Sequence, residues 1–375
     1  MTGLSVCTRF TSVNTLDPIY RQRFSEKYLQ LFHDAWRHSR FSPVEGLRWL
    51  RIYARQKKMA RRREAAEADG LMIPPVMIFS ATNHCNLQCK GCYAGQRMKE
   101  GAEELTLERV EQLFGEASEL GTGVIMIAGG EPLMRPEILW AASNYHDILF
   151  PVFTNGTLLN QGSISYFRQT PNLIPVLSLE GNRTYTDQRR GEGIHVRVME
   201  AMDQLKRTRR LFGLSLTLTR ENFEELTRPE WLWHHYKLGC KLFFFVEYVP
   251  QAEHDLHLCL TEDQKGELQG RLNVLREELP ALLVNLPGDE SRYGGCLAAG
   301  RGFVHISADG RLEACPFAPY SDVSILDLPL KEALKSIFLN RIRRSHHLLT
   351  EARGGCALWE NRTWVEAQLK ASYSS

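Results

Sequence analysis

The chain has 375 residues, with an apolar share of 43%, a charged share of 24% and a formal charge of +2. These are globular proportions, long for one ordinary domain and within reach of a single α/β barrel with appendages. They exclude a repetitive or low-complexity chain, and no run of roughly 18 apolar residues is present to span a bilayer.

The opening stretch, "MTGLSVCTRFTSVN", lacks the apolar core and cleavage site of a signal peptide. The expected location is therefore cytoplasmic, where disulfides are rare and clustered cysteines bind metal or do redox chemistry. Residues 1–75 carry aromatics and no strand pattern, which predicts a helical N-terminal extension. Within it, Arg48, Arg51, Arg55, Lys58 and Arg62 recur at 3-4-3-4 spacing, with Trp49, Ile52, Tyr53, Met59 and Ala60 largely opposite. That is one basic stripe on a helix packed against the rest of the chain. Its bland use is a solvated face; an acidic peptide, anionic lipid headgroups or RNA are the functional alternatives.

From residue 76, apolar runs alternate with helix-period segments: 76–81, 124–130, 149–156, 174–181, 211–219 and 241–250. Near-continuous apolar strands separated by helices predict a parallel sheet covered by helices. Six such units make a partial (β/α)6 TIM barrel over 76–255, two short of a closed barrel. Residues 256–290 read as a helical linker, and 291–375 as a small α+β unit of short strands, turns and a terminal helix.

The first strand runs straight into "CNLQCKGCY", which places Cys85, Cys89 and Cys92 in one loop. In α/β folds the C-terminal edge of the strands is where sites are built. A structural zinc site would need a fourth ligand, and His84 is awkward for that because it directly adjoins Cys85. Three thiolates suit an iron–sulfur cubane better, since four thiolates normally close one and three leave an iron open.

This C-x3-C-x2-C loop resembles that of the radical S-adenosylmethionine (SAM) enzymes. The resemblance implies a [4Fe–4S] cluster on the three cysteines, with SAM chelating the fourth iron. It also implies reductive cleavage of SAM to a 5′-deoxyadenosyl radical that takes hydrogen from a substrate C–H bond. Many members place an aromatic before the third cysteine; here that residue is Gly91, and Tyr93 follows. "AGGEP" at 128–132 resembles the family's GGE motif, which nominates Gly129, Gly130 and Glu131, the last as acceptor for the methionyl ammonium. The same resemblance, over residues 76–250, nominates Tyr93, Asn155 of "FTNG", Ser178 and Glu180 of "SLEG", and Arg190 of "DQRRGEG".

Near the end, Cys296, Gly310 and Cys315 follow a C-x13-G-x4-C pattern, with Asp309–Gly310 as the turn of a hairpin. The pattern resembles the SPASM and twitch domains, which add an auxiliary iron–sulfur cluster, and Cys356 after a helix would complete three ligands. The cysteine count implies one such cluster, with Cys259 a conceivable fourth ligand; three unrelated buried thiols are the alternative. His254, His257 and Cys259 form a superficial metal set, while Cys7 and Cys240 read as structural. The expected activity is modification of a peptide or protein, with a small metabolite, cofactor precursor or lipid as the alternative substrate. A non-catalytic iron–sulfur or zinc protein is the third reading. An electron donor such as flavodoxin or ferredoxin is implied as partner.

Overall fold

The computed structural model describes residues 18–39, 43–95, 103–293, 295–349 and 356–374. Cys7 lies outside them. Among the described residues, nine strands form one sheet: β1 Val76–Thr82, β2 Val124–Gly129, β3 Phe150–Thr154, β4 Leu173–Ser178, β5 Gly213–Leu218, β6 Leu242–Glu247, β7 Leu282–Leu286, β8 Phe303–Ile306 and β9 Leu312–Glu313. Their order is β7-β6-β5-β4-β3-β2-β1-β8-β9. The first seven are parallel neighbours, as the alternating pattern predicts, and the sheet curls as the expected partial barrel. Two helices precede the sheet, α1 Pro18–Ser39 and α2 Pro43–Ala66. Crossover helices cover its outer face, among them α3 Leu107–Leu120, α4 Glu137–Ser143, α5 Gln161–Gln169, α6 Arg183–Arg190 and α7 Ile194–Arg207. The ends of α3 show how the sequence sets these helices: Thr106 caps the Arg109 amide, and Gly121 closes the last turn at φ +92°.

Two features depart from the expected elements. The linker over 256–290 holds a helix, Glu262–Glu278, and then a seventh parallel strand, β7. Its five residues, LLVNL, lie between Pro280 and Pro287 and offer too short an apolar run to register as a strand. The C-terminal hairpin forms as predicted, His305 pairing with Glu313, but β8 also joins the barrel sheet, parallel to β1.

The inward-facing side chains change character along the strands. β1 runs Val76, Ile78, Ser80 from bottom to rim, and β4 runs Ile174, Val176, Ser178. Period-2 alternation thus puts hydrocarbon in the lower barrel and polar groups at the C-terminal edge.

The lower end is closed by the N-terminal helices. Trp49, Ile52, Met59 and Ala60 of α2 are buried, and Gln56 donates to the Gly123 carbonyl (3.0 Å) while accepting from the Tyr28 hydroxyl (2.7 Å). Three members of the basic stripe hold this helix in place. Arg48 donates to the Arg209 carbonyl (2.8 Å), Lys58 pairs with Asp147 (2.6 Å), and Arg62 reaches the Ser118 carbonyl (3.2 Å). Arg51 stays exposed and Arg55 half-buried. The stripe is therefore largely a docking device within the chain. Among the described residues, no helix is long and apolar enough to cross a membrane.

The seat of α2 yields a paired prediction. A Cβ on Gly121 would lie 2.4 Å from the Arg63 backbone nitrogen, at a φ that L-residues avoid. Gly121→Ala should cost about 2 kcal/mol or more in urea unfolding. Gly266, inside the Glu262–Glu278 helix with nothing within 4 Å of such a Cβ, is the control. Gly266→Ala should stabilise by roughly 0.5–1 kcal/mol.

Candidate functional site

The cysteine loop is seated on the edge of β2 and β3 by backbone contacts. The Gly130 amide donates to the Thr82 carbonyl and the Glu131 amide to the His84 carbonyl, each at 2.8 Å. A Cβ on Gly130 would sit 1.9 Å from the His84 oxygen, so only glycine permits this approach. The close neighbour that Gly130 admits is thus the loop carrying Cys85. Asn86 is clamped by Asn155, whose Nδ2 donates to its Oδ1 (2.9 Å), and itself donates to Thr157 (2.8 Å). At the far end, the Lys90 amide donates to the Arg189 carbonyl (2.9 Å).

Above the sheet lies a chamber of about 220 Å³. Cys85, Cys89, Cys92 and Tyr93 line it from the loop, Gly129, Gly130, Glu131, Asn155 and Ser178 from the strand ends, and Arg190 from the end of α6. One further expected residue, Glu180, is fully buried behind this wall. Its Oε1 accepts from Arg189 Nη1 (2.7 Å) and from Arg190 Nε (2.8 Å). Burial would push the Glu180 carboxyl up, but the two guanidiniums outweigh it and hold it below the usual range. Glu180 therefore aims two cations and does not itself face the chamber.

Glu131, expected as an ammonium acceptor, lines the chamber and also has a structural role. Its carboxylate is buried and already accepts from the Leu133 amide (3.0 Å), the Thr154 hydroxyl (2.7 Å) and the Asn155 amide (2.8 Å). Burial, outweighing these donors, pushes its carboxyl up. It ties the end of β2 to the end of β3 while its own amide holds the cysteine loop.

Arg189 and Tyr248 are chamber residues that no motif in the sequence singles out. Arg189 lines the wall beside Arg190, and the doublet "RR" was its only signal. Tyr248, after β6, fills the space that a side chain at Gly91 would need; a Cβ there would lie 2.2 Å from its hydroxyl oxygen. The aromatic absent from position 91 is thus supplied from across the barrel, a pairing no local motif could reveal. Tyr93 instead packs edge-on against Phe317, with ring centroids 5.1 Å apart, linking the cysteine loop to the Cys315 segment.

The C-terminal cysteines face a second, lower chamber of about 200 Å³. Cys296, Cys315 and Cys356 are all buried and form part of its wall, with Asp289 and Glu290 beside them. Burial first, then Glu290 and Cys356, push Cys296 well up. Cys315 and Cys356 hydrogen-bond to each other, and that bond holds Cys356 below its ordinary value. The rest of the wall is nearly all hydrocarbon. It reaches Ile174 and Phe244 across the barrel and Phe32, Trp49 and Ile52 at the floor. The two chambers share Ile78, Met126, Val249, Leu286, Pro316 and Phe317, so they adjoin.

Other candidates are not assembled. Cys259, the conceivable fourth ligand, is buried beside Arg220, Lys265 and Asp255 and is not among the residues lining the chamber of the three C-terminal thiols. His257 turns Nδ1 to the His254 carbonyl (2.8 Å), and Cys240 donates to the Leu242 carbonyl (3.1 Å) inside the barrel wall. His84 lies 4.0 Å from Glu104. Among the described residues, no three His, Cys, Asp or Glu side chains converge as a single metal ion would require.

The donor set suits a cluster of several irons. The Leu87 amide donates to Cys85 Sγ (3.4 Å), with Asn155 Nδ2 at 3.9 Å. Burial pushes both Cys85 and Cys89 up, and at Cys89 the Arg190 and Arg189 charges oppose it. Amide donors and guanidiniums around sulfur favour thiolate, the form that binds iron.

Residues 79–228 match the sequence profile described as "Radical SAM superfamily". The chain is 25% identical over 315 residues to the AdoMet-dependent heme synthase of Methanosarcina barkeri, covering 76% of this chain and 88% of that one. It is 27% identical over 268 residues to the GTP 3′,8-cyclase of Alkaliphilus metalliredigens, covering 64% and 80%. In fold it is similar to Streptococcus suis SuiB bound to its precursor peptide SuiA. The TM-score there is 0.60, at 15% identity over 84% of this chain and 75% of that one.

Removing Glu180 tests the arginine clamp. Glu180→Gln leaves two cations without their buried counter-charge and should cost about 3–5 kcal/mol in unfolding at neutral pH. Because the folded carboxyl titrates below its unfolded value, its contribution is complete above about pH 4.5 and is lost as pH falls further. The gap between wild type and variant should therefore narrow only below that pH.

Proposed function

Residues 79–228 are a radical SAM domain, and on that premise we propose that the chain cleaves AdoMet in the upper chamber and works on a small molecule. The observation that carries this reading is the convergence of Cys85, Cys89 and Cys92 with the glycine edge, Asn155, Ser178 and Arg190 around one chamber. When bound, the cluster supplies the electron that splits AdoMet and yields the adenosyl radical that takes hydrogen from carbon. The chain's own part is to position and to seclude.

Cys85, Cys89 and Cys92 would hold three irons and leave the fourth for AdoMet. Gly129 and Gly130 present a backbone edge. Ser178, Asn155 and Arg190 supply polar contacts around the cofactor, and Arg189, held by Glu180, offers a second cation to a carboxylate. Tyr248 and Tyr93 close the chamber beside the third cysteine. Cys296, Cys315 and Cys356 would hold one auxiliary [4Fe–4S] cluster, facing the lower chamber. A small protein donor such as flavodoxin or ferredoxin would deliver the electron.

The choice of a small molecule over a peptide follows the sequence relatives. Those named above are a heme synthase and a GTP cyclase. The peptide-bound neighbour, at 15% identity, speaks for the fold alone.

The test is anaerobic reconstitution with iron, sulfide and AdoMet under a chemical reductant. Wild type should form 5′-deoxyadenosine slowly even without substrate. Replacing Cys85, Cys89 and Cys92 together by alanine should abolish it; continued formation by that variant would remove this loop from the assignment.

A further inference from the structure

We infer that the lower chamber binds the hydrocarbon body of the substrate, an aliphatic chain or an isoprenoid, and holds one of its carbons against the upper chamber. The inference deepens the proposed small-molecule reading and rests on it.

Three observations carry it. The first is composition: across the barrel from the thiols, the chamber is walled by side chains such as Val124, Ile174, Leu242 and Phe244, all of them apolar. Apart from Asp289, Glu290 and the three thiols on one wall, it offers almost nothing that could accept or donate a hydrogen bond. A peptide backbone placed there would lose its hydrogen bonds to water without replacement, whereas a hydrocarbon loses none. The second is size. A dry apolar cavity of about 150 Å³ takes up benzene; the lower chamber is larger, at about 200 Å³, and the auxiliary cluster would take only the side lined by the thiols. The third is position. The shared boundary of Ile78, Met126, Val249 and Phe317 brings the chamber directly under the space lined by Cys85, Cys89 and Arg190. A hydrocarbon entering from above would thus present a C–H bond where the radical chemistry belongs.

The floor supplies its own reporter. Trp49 is buried at the bottom of the chamber. A brominated long-chain alkanoic acid, added to the anaerobically reconstituted full chain with AdoMet, should quench part of the tryptophan fluorescence. Trp49→Phe should remove that part. Unbrominated alkanoic acid and farnesol, added as competitors, identify the acyl or the isoprenoid arm by which restores the signal better. Ile174→Phe, which fills the chamber, should weaken quenching at least tenfold.

Quenching unchanged by Trp49→Phe would overturn the inference. So would quenching seen only in the iron-free chain, because the volume would then be the seat of the auxiliary cluster alone. 5′-Deoxyadenosine formation is measured in the same samples. Its presence without quenching sinks only the hydrocarbon site; its absence with quenching intact sinks the AdoMet reading instead.

Discussion

Glu131 joins three pieces of backbone at one buried carboxylate. The strand that it ends, the strand beside it and the cysteine loop all meet there, through three donors to its oxygens and its amide on His84. A carboxylate removed from water is costly unless its oxygens are matched by donors. Here they are matched by the groups whose positions matter. The close approach also depends on Gly130, where any side chain would strike the His84 carbonyl. The thiols of an otherwise irregular loop are thereby held at a fixed place over the sheet.

An open half-barrel needs its lower end closed and its interior divided. The helix α2 provides the closure, sealing the floor with Trp49 and Ile52 while Gln56 and Arg63 satisfy the Gly123 and Gly121 carbonyls in the turn between α3 and β2. The division comes from the strands, whose inward rows pass from hydrocarbon to hydroxyl and amide as they rise. The polar groups of these strands are thus at the rim, and the space below, away from its thiol wall, favours apolar occupants. Phe317 stands at the boundary and also meets Tyr93, so the barrel loop and the C-terminal cysteine segment share one contact.

Much of this was legible in the residues. Six strands announced themselves by apolar runs, and the cysteine spacing with the glycine pair gave the site its place at the strand ends. The resemblance nominates Glu180, yet its carboxylate lies behind the wall against Arg189 and Arg190, a pairing made by tertiary packing that the sequence does not display. β7 was hidden by brevity. Tyr248 and the lower chamber were hidden for a different reason: both arise from side chains on strands far apart in sequence, meeting only when the sheet curls. The basic stripe is visible as a pattern, but its partners, Asp147, Ser118 and Arg209, sit in the barrel's helices and loops 56 to 161 residues away.

On the reading proposed above, AdoMet-dependent radical chemistry meets a hydrocarbon carbon. The most direct measurement is hydrogen transfer from material of known origin. Cells grown in deuterated medium are extracted, and the organic-soluble and macromolecular fractions are incubated separately with the reconstituted enzyme, AdoMet and reductant. Deuterium should appear in 5′-deoxyadenosine with the organic-soluble fraction. Deuterium transferred only from the macromolecular, peptide-bearing fraction would contradict it.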